Sequence, residues 1–277
     1  MTAADGAAFF SGVQTVFSGV QTGGLALAAD ALQVLAAAVY LGGVGRLARK
    51  GRRWPRSSTV CFLSGVGLLW LAVGSGLAAH DEQPTVHVVQ HALLMMVAPP
   101  LLLLGRPVTL AVQASRRPAQ VRMVSVVHIR VLRHLTNPLL GWLLYYGSMG
   151  AMLADRQVYD YLLAHPLAHD GSHLLLVMVG SLYWQPLLDA DPSPWRLSPR
   201  LRLGSALTGA GVETLLGVLI LAGAGAVTAG AVPAGAAFLA VALPTCGACC
   251  PALASSRGRR SRRRARRRTW TRQAPTG

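Results

Sequence analysis

Seven apolar stretches divide this chain, at about residues 24–45, 60–79, 86–104, 138–154, 172–188, 203–227 and 233–254. Each approaches the ~20 residues that a helix needs to cross a hydrocarbon core of about 30 Å. In that core every backbone N–H and C=O must be satisfied inside the segment, so the expected fold class is all-α: a polytopic membrane bundle of about seven transmembrane helices. Composition agrees, since 52% of the 277 residues are hydrophobic and 13% are charged, against about 25% charged in soluble domains. Mean hydropathy is +0.44. The expected organisation is an external segment over 1–23, one membrane domain over 24–254 and an arginine-rich cytoplasmic tail over 255–277. The first basic residue is Arg46, so a cleavable leader with a positive amino end is not expected. Phe-Ser-Gly-Val-Gln-Thr occurs at 10–15 and again at 17–22, a local duplication with no chemistry attached.

The basic residues set the orientation. Arg46, Arg49, Lys50, Arg52, Arg53 and Arg56 lie between the first and second stretches, and Arg106, Arg116, Arg117, Arg122, Arg130 and Arg133 between the third and fourth. Arg196, Arg200 and Arg202 follow the fifth, and ten arginines lie between Arg257 and Arg272. Of the 26 Lys and Arg residues, only Arg156 falls on the other set of connections. The positive-inside rule then places the N-terminus outside and the C-terminus in the cytoplasm, for a multi-pass protein of a bacterial plasma membrane. Asp5, Asp81, Glu82, Asp155, Asp160 and Asp170 all fall on the outer side of that arrangement. The net charge of +16 thus reflects topology and attraction to the lipid bilayer. Nucleic acid is not an expected partner, because no soluble binding module accompanies the arginines.

Five of the eight histidines form two clusters at helical spacing: His87 and His91, then His165, His169 and His173. His87 and His91 are one turn apart on a shared face, which Met95 continues one turn deeper. Imidazole with thioether favours copper, above all Cu(I), over a hard cation. A zinc protease is excluded, because its general-base Glu would have to stand where Val88 does. In the second cluster Pro166 suits a first helical turn, and a helix through all three histidines would align them, on the condition that Gly171 does not interrupt it. Asp170 is the expected outer-shell carboxylate orienting an imidazole. The bland readings are interfacial histidines beside a lipid-facing Met, and a polar loop that happens to contain histidines. Both clusters opening apolar runs on one side of the membrane weighs against them.

Other groups carry less. Asp30 lies about 9 Å into the first stretch at 1.5 Å per residue, and Glu213 sits near the middle of the sixth. An ionisable group at such depth costs roughly 2.5–3.5 kcal/mol on insertion scales, so Asp30 is a candidate to face the histidines and Glu213 to serve a proton or ion path, with a plain helix–helix hydrogen bond as the alternative for each. His80, Asp81 and Glu82 could capture metal weakly in an outer loop; His128 and His134 read as surface residues. Cys61 lies far from the histidines, and Cys246, Cys249 and Cys250 read as reduced, buried thiols. No phosphate loop, dinucleotide fingerprint or nucleophile elbow is present.

Three runs carry a family resemblance: Tyr-Leu-Gly-Gly-Val-Gly-Arg-Leu-Ala-Arg-Lys-Gly-Arg-Arg-Trp-Pro at 40–55, the stretch from His87 to Leu110 with its Met-Met-Val-Ala-Pro-Pro, and His-Pro-Leu-Ala-His with Tyr-Trp-Gln-Pro-Leu-Leu-Asp-Ala-Asp-Pro within 165–192. Over residues 25 to 220 the chain resembles the CtaG-type cytochrome c oxidase assembly factors of actinobacteria and bacilli, polytopic proteins implicated in maturing the oxidase's copper centres. The resemblance implies that His87, His91, His165, His169 and His173 match the family's histidines. It departs from the family pattern where Leu174 and Leu175 follow His173 in place of a His-x-His, and where Ala/Gly-rich sequence, Cys-Gly-Ala-Cys-Cys and an arginine run replace the expected Asp-Gln-Gln and Gly-rich-Trp stretch. A shifted reading frame over the last ~50 residues is one account of that tail.

The expected function is therefore copper handling at the outer face in aid of oxidase assembly. Ligands between the third and fifth spans would accept Cu(I) and pass it to a cytochrome c oxidase subunit, with no catalytic turnover. Two rivals from other classes are a membrane haem oxidoreductase, since haem iron takes axial imidazoles, and a CopD-like copper permease, which would need a polar route through the bilayer.

Overall fold

The computed structural model describes residues 24–75, 84–127, 129–154, 157, 161–162 and 164–221. Regular structure among these residues is helical: α1 (Gly24–Arg49), α2 (Arg56–Val73), α3 (Pro84–Ala92), a π-helical turn (Leu93–Val97), α4 (Ala98–Leu104), α5 (Pro107–Ala114), α6 (Arg117–Val127), α7 (Arg130–Leu135), α8 (Pro138–Ala154), α9 (Pro166–Leu188) and α10 (Pro199–Leu221). Leu27–Arg49, Arg56–Val73 and Val86–Ala114 are long and apolar enough to cross a membrane. Along α1, Leu32, Val34, Leu35 and Val39 are each more than half exposed, a surface that water would penalise and lipid would not. Helices coincide with the first six expected stretches. The seventh, 233–254, lies outside the described residues, as do segment 1–23 with its duplication and the tail over 255–277.

Local sequence explains the joints. Gly51 takes φ +69° and Arg52 N–H returns to Leu47 O at 3.0 Å, a left-handed helix ending that favours glycine. Five helices open on proline, where the missing N–H would have had no intrahelical partner. The π-turn has a specific cause. Pro99 and Pro100 cannot donate to the carbonyls of Met95 and Met96, and their rings crowd those carbonyls. The helix widens instead, with Ala98 N–H reaching back five residues to Leu93 O. The freed Met95 carbonyl accepts Trp184 Nε1 from α9 at 3.3 Å.

Several expectations need correction. The connection between the third and fourth stretches is helical, not an open loop, and holds α5, α6 and α7. The fifth helix begins at Pro166 and not near 172, because the run from Leu167 to His173 meets no helix breaker once Gly171 is tolerated in a helix interior. Glu213 on α10 is buried and accepts Tyr145 Oη at 3.4 Å, which is the helix–helix contact of the two readings. Beside it Tyr146 Oη donates to Tyr183 Oη at 3.1 Å.

The core lies where α9 crosses the π-turn, α4 and α8, with Leu94, Met95, Met96, Tyr145, Leu176, Val179, Tyr183 and Trp184 buried together. At the far end, Asp191 caps α5 from a distance, accepting Val108 N–H at 3.1 Å, Thr109 N–H at 2.8 Å and Thr109 Oγ1 at 2.6 Å. Asp189, at φ +48°, ends α9 and pairs with the buried Arg202 of α10 at 2.7 Å. Asp191→Ala is expected to lower stability by about 1–2 kcal/mol, the range for a lost helix cap; thermal unfolding in detergent measures it, and an unchanged midpoint would remove Asp191 from the frame.

Candidate metal centre

The histidines of α3 and α9 meet at one end of the bundle. His87 and His91 stand one turn apart on α3, with ring centroids 4.0 Å apart. His169 and His173 stand one turn apart on α9, at 4.4 Å. Across the two helices His87 stacks on His169 at 5.3 Å and 19°, and His91 meets His173 edge-on, also at 5.3 Å. His87, His169 and His173 are all buried, and His91 is half-buried. The helices approach so closely because Gly180 has no side chain: a Cβ there would lie 2.5 Å from Met95 O and 2.8 Å from Pro99 Cγ.

Two overlapping donor sets result. One nitrogen each from His87, His91 and His169 forms a trio whose atoms lie within 4.8 Å of one another, and one atom each from His169, Asp170 and His173 forms a second trio within the same limit. His169 belongs to both. The first set is inner and purely imidazole; the second carries the exposed carboxylate of Asp170. Among the described residues, His91 Nε2 and both ring nitrogens of His173 are buried with no hydrogen-bond partner. Buried polar atoms are ordinarily paired, so lone pairs left open beside one another fit a cation that would occupy them.

Not every expected residue joins this group. His165 is exposed and takes extended backbone (φ −124°, ψ 92°) as the residue before the first turn of α9. Pro166 starts the helix after it, so the i, i+4, i+8 alignment loses its first member. Its ring stacks on Tyr161 at 4.1 Å, and Nδ1 lies 2.8 Å from Tyr161 O. Met95 is buried in the apolar cluster within the π-turn. Asp30 belongs to neither donor set. It stands on α1, where its carboxylate packs against Gly74 at the end of α2 so closely that a Cβ there would lie 2.6 Å from its Oδ1. His134 is exposed on α7, Cys61 is a free thiol on α2, and His80, Asp81, Glu82, His128, Cys246, Cys249 and Cys250 lie outside the described residues.

Gln90 was not singled out by its sequence, although it sits between the α3 histidines. It is fully buried, and its Nε2 donates to Ala72 O at 2.8 Å, satisfying a carbonyl at the end of α2 and holding α3 in rotation. An uncharged amide inside an apolar run is the signal that could have found it, since such a group is seldom buried unpaired.

The family model described as cytochrome c oxidase caa3 assembly factor matches residues 38–242. Uncharacterized proteins of Mycobacterium bovis and Mycobacterium tuberculosis are each 30% identical over 179 residues, covering 62% of this chain and 27% of theirs. One from Mycobacterium leprae is 26% identical over 198 residues, covering 69% of this chain and 30% of its own. The match thus spans less than a third of these relatives' length. No solved structure matches. With a family match over most of its length, this chain belongs to the cytochrome c oxidase caa3 assembly factor family.

Proposed function

We propose that this protein accepts copper as Cu(I) at the paired histidines of α3 and α9 and passes it to a cytochrome c oxidase subunit during assembly. The observation that carries this reading is the group of four imidazoles brought together from two helices, in which His91 Nε2 and both ring nitrogens of His173 are buried without a hydrogen-bond partner among the described residues. Imidazole is a good copper ligand, and a set with few donors suits a metal that must leave again. His169, common to both donor sets, provides a route for exchange: the ion enters at the exposed Asp170 and passes between the two sets without losing every ligand at once. No turnover of substrate is required. The protein acts in the bacterial plasma membrane as a multi-pass chain, with the histidine end facing outward.

The haem reading fits less well. The histidine rings are in mutual contact at 4.0 to 5.3 Å, which leaves no slot for a macrocycle between facing imidazoles. A permease is disfavoured because Glu213 is engaged by Tyr145 within an otherwise aromatic and aliphatic core.

Loading detergent-purified protein with Cu(I), followed by metal analysis and an optical spectrum, tests the reading. About one ion per chain is expected, as a single shared-ligand site would hold, with no Soret band. In cells, His87→Ala with His91→Ala should reduce assembled oxidase while leaving the protein inserted. Wild-type copper content and oxidase activity in that double variant would end the proposal.

A further inference from the structure

The hairpin of α1 and α2 encloses a second feature, at the arginine-bearing end of the bundle. A cavity of about 1080 Å³ opens between the last turns of α1, the connecting turn and the first turns of α2. That volume is at the upper limit of the ~300–1,000 Å³ common for small-molecule sites. Its lining changes character along the helix axes. Arg52, Arg53 and Arg56 stand at the turn, whereas Val44, Ala48 and Val60 line it further toward the helix interiors. None of the three arginines has a carboxylate partner among the described residues.

One wall is fixed. Trp54, also in the lining, donates its Nε1 to Tyr40 Oη at 3.0 Å, and Tyr40 Oη in turn donates to Gly105 O at 2.7 Å. Tyr40 is further clamped by stacking on Phe62, with centroids 4.0 Å apart. The indole is therefore held beside the arginine-bearing turn, and Trp is favoured in membrane proteins at the boundary between headgroups and hydrocarbon.

We propose that this cavity binds the phosphate headgroup of an anionic phospholipid. Guanidinium forks match phosphate oxygens bidentately, and the Val44–Val60 side accepts the start of an acyl chain. The competing explanation is that these arginines only set topology, as basic residues at this end do generally. Arg46 and Arg49 separate the two, because they are exposed on the same end but do not line the cavity.

The test is lipid retention by the full-length protein in detergent, read by native mass spectrometry with phosphatidylglycerol against phosphatidylcholine of the same acyl chains. Preferential retention of phosphatidylglycerol is expected. Replacing Arg52, Arg53 and Arg56 together with Gln should reduce that preference about tenfold or more, given what each basic residue contributes near an anionic surface. Arg46→Gln with Arg49→Gln should change it less than about twofold, being outside the cavity. Val60→Trp, which fills the apolar side and leaves every charge in place, should lower retention of the anionic lipid as well. Thermal unfolding of each variant verifies the fold, and Arg53→Gln alone serves where the triple variant is unstable. Three results would overturn the proposal: no lipid preference in the wild type, equal losses in the two arginine sets, or full displacement of the lipid by excess inorganic phosphate, which would make the site one for free anions.

Discussion

Replacing His169 with Ala is expected to weaken Cu(I) binding by at least about 100-fold, beyond the 10–100-fold typical of losing an outer-shell partner. His165→Ala should change it by less than about threefold, since a side chain that does not touch the ion contributes little to holding it. The contrast follows from position. His169 is common to both donor sets, so its removal leaves neither with three donors, whereas His165 is exposed and turned onto Tyr161. Asp170→Asn should fall between them and act mainly on the rate of loading, because Asp170 belongs to the exposed set alone. Competition with a chromogenic Cu(I) chelator measures all three. Equal damage from His165→Ala and His169→Ala would mean that the donor sets are wrongly assigned.

Gly180→Val should produce the second large effect. A Cβ at this position already meets a backbone carbonyl at 2.5 Å, and a backbone atom cannot swing aside as a flexible side chain would. Overpacking of this kind costs about 1–3 kcal/mol. The more telling consequence is local: α9 must move away from the π-turn, carrying His169 and His173 away from His87 and His91. Stability and Cu(I) affinity should therefore fall together, although residue 180 stands about two turns beyond His173 along α9. Gly171 supplies the contrast on the same helix. Nothing lies within 4 Å of a Cβ there, so Gly171→Ala should be neutral or stabilise by about 0.5–1 kcal/mol through helix propensity. A Gly180→Val protein with wild-type affinity would show that the two helices need not touch for the site to form.

Much of this was legible in the sequence, for physical reasons that also mark where legibility ends. Hydrocarbon-length apolar runs locate helices almost without regard to context, so α1, α2, α8 and α10 lie close to where composition puts them. The i, i+4 spacings of His87 with His91 and of His169 with His173 survive because a helix preserves them. His165 does not follow, since a residue preceding a helix-initiating proline is driven toward extended backbone, and three residues at regular spacing need one uninterrupted helix. The π-turn was foreseeable from Pro99 and Pro100 as a disturbance, but its form depends on Trp184 donating its indole N–H to the freed Met95 carbonyl across 89 residues. The partners of Gln90, Gly180 and Asp191 were invisible for the same reason. Each acts on a partner in another helix, and no local pattern encodes which helix that will be.

The inner donor set has a consequence in electrostatics. His87, His91 and His169 bring no formal negative charge, and His87 and His169 are buried with His91 half-buried beside them. The self-energy of an ion in a weakly polarisable medium grows with the square of its charge. If a monovalent ion of ordinary size loses on the order of 20 kcal/mol of hydration in the idealised limit, a divalent ion of the same size loses about four times as much, and neutral imidazoles return only part of either. The inner position should thus discriminate by valence before it discriminates by element: Ag(I) should substitute for Cu(I), whereas Zn(II) should stop at the outer position, where the carboxylate of Asp170 can share its charge.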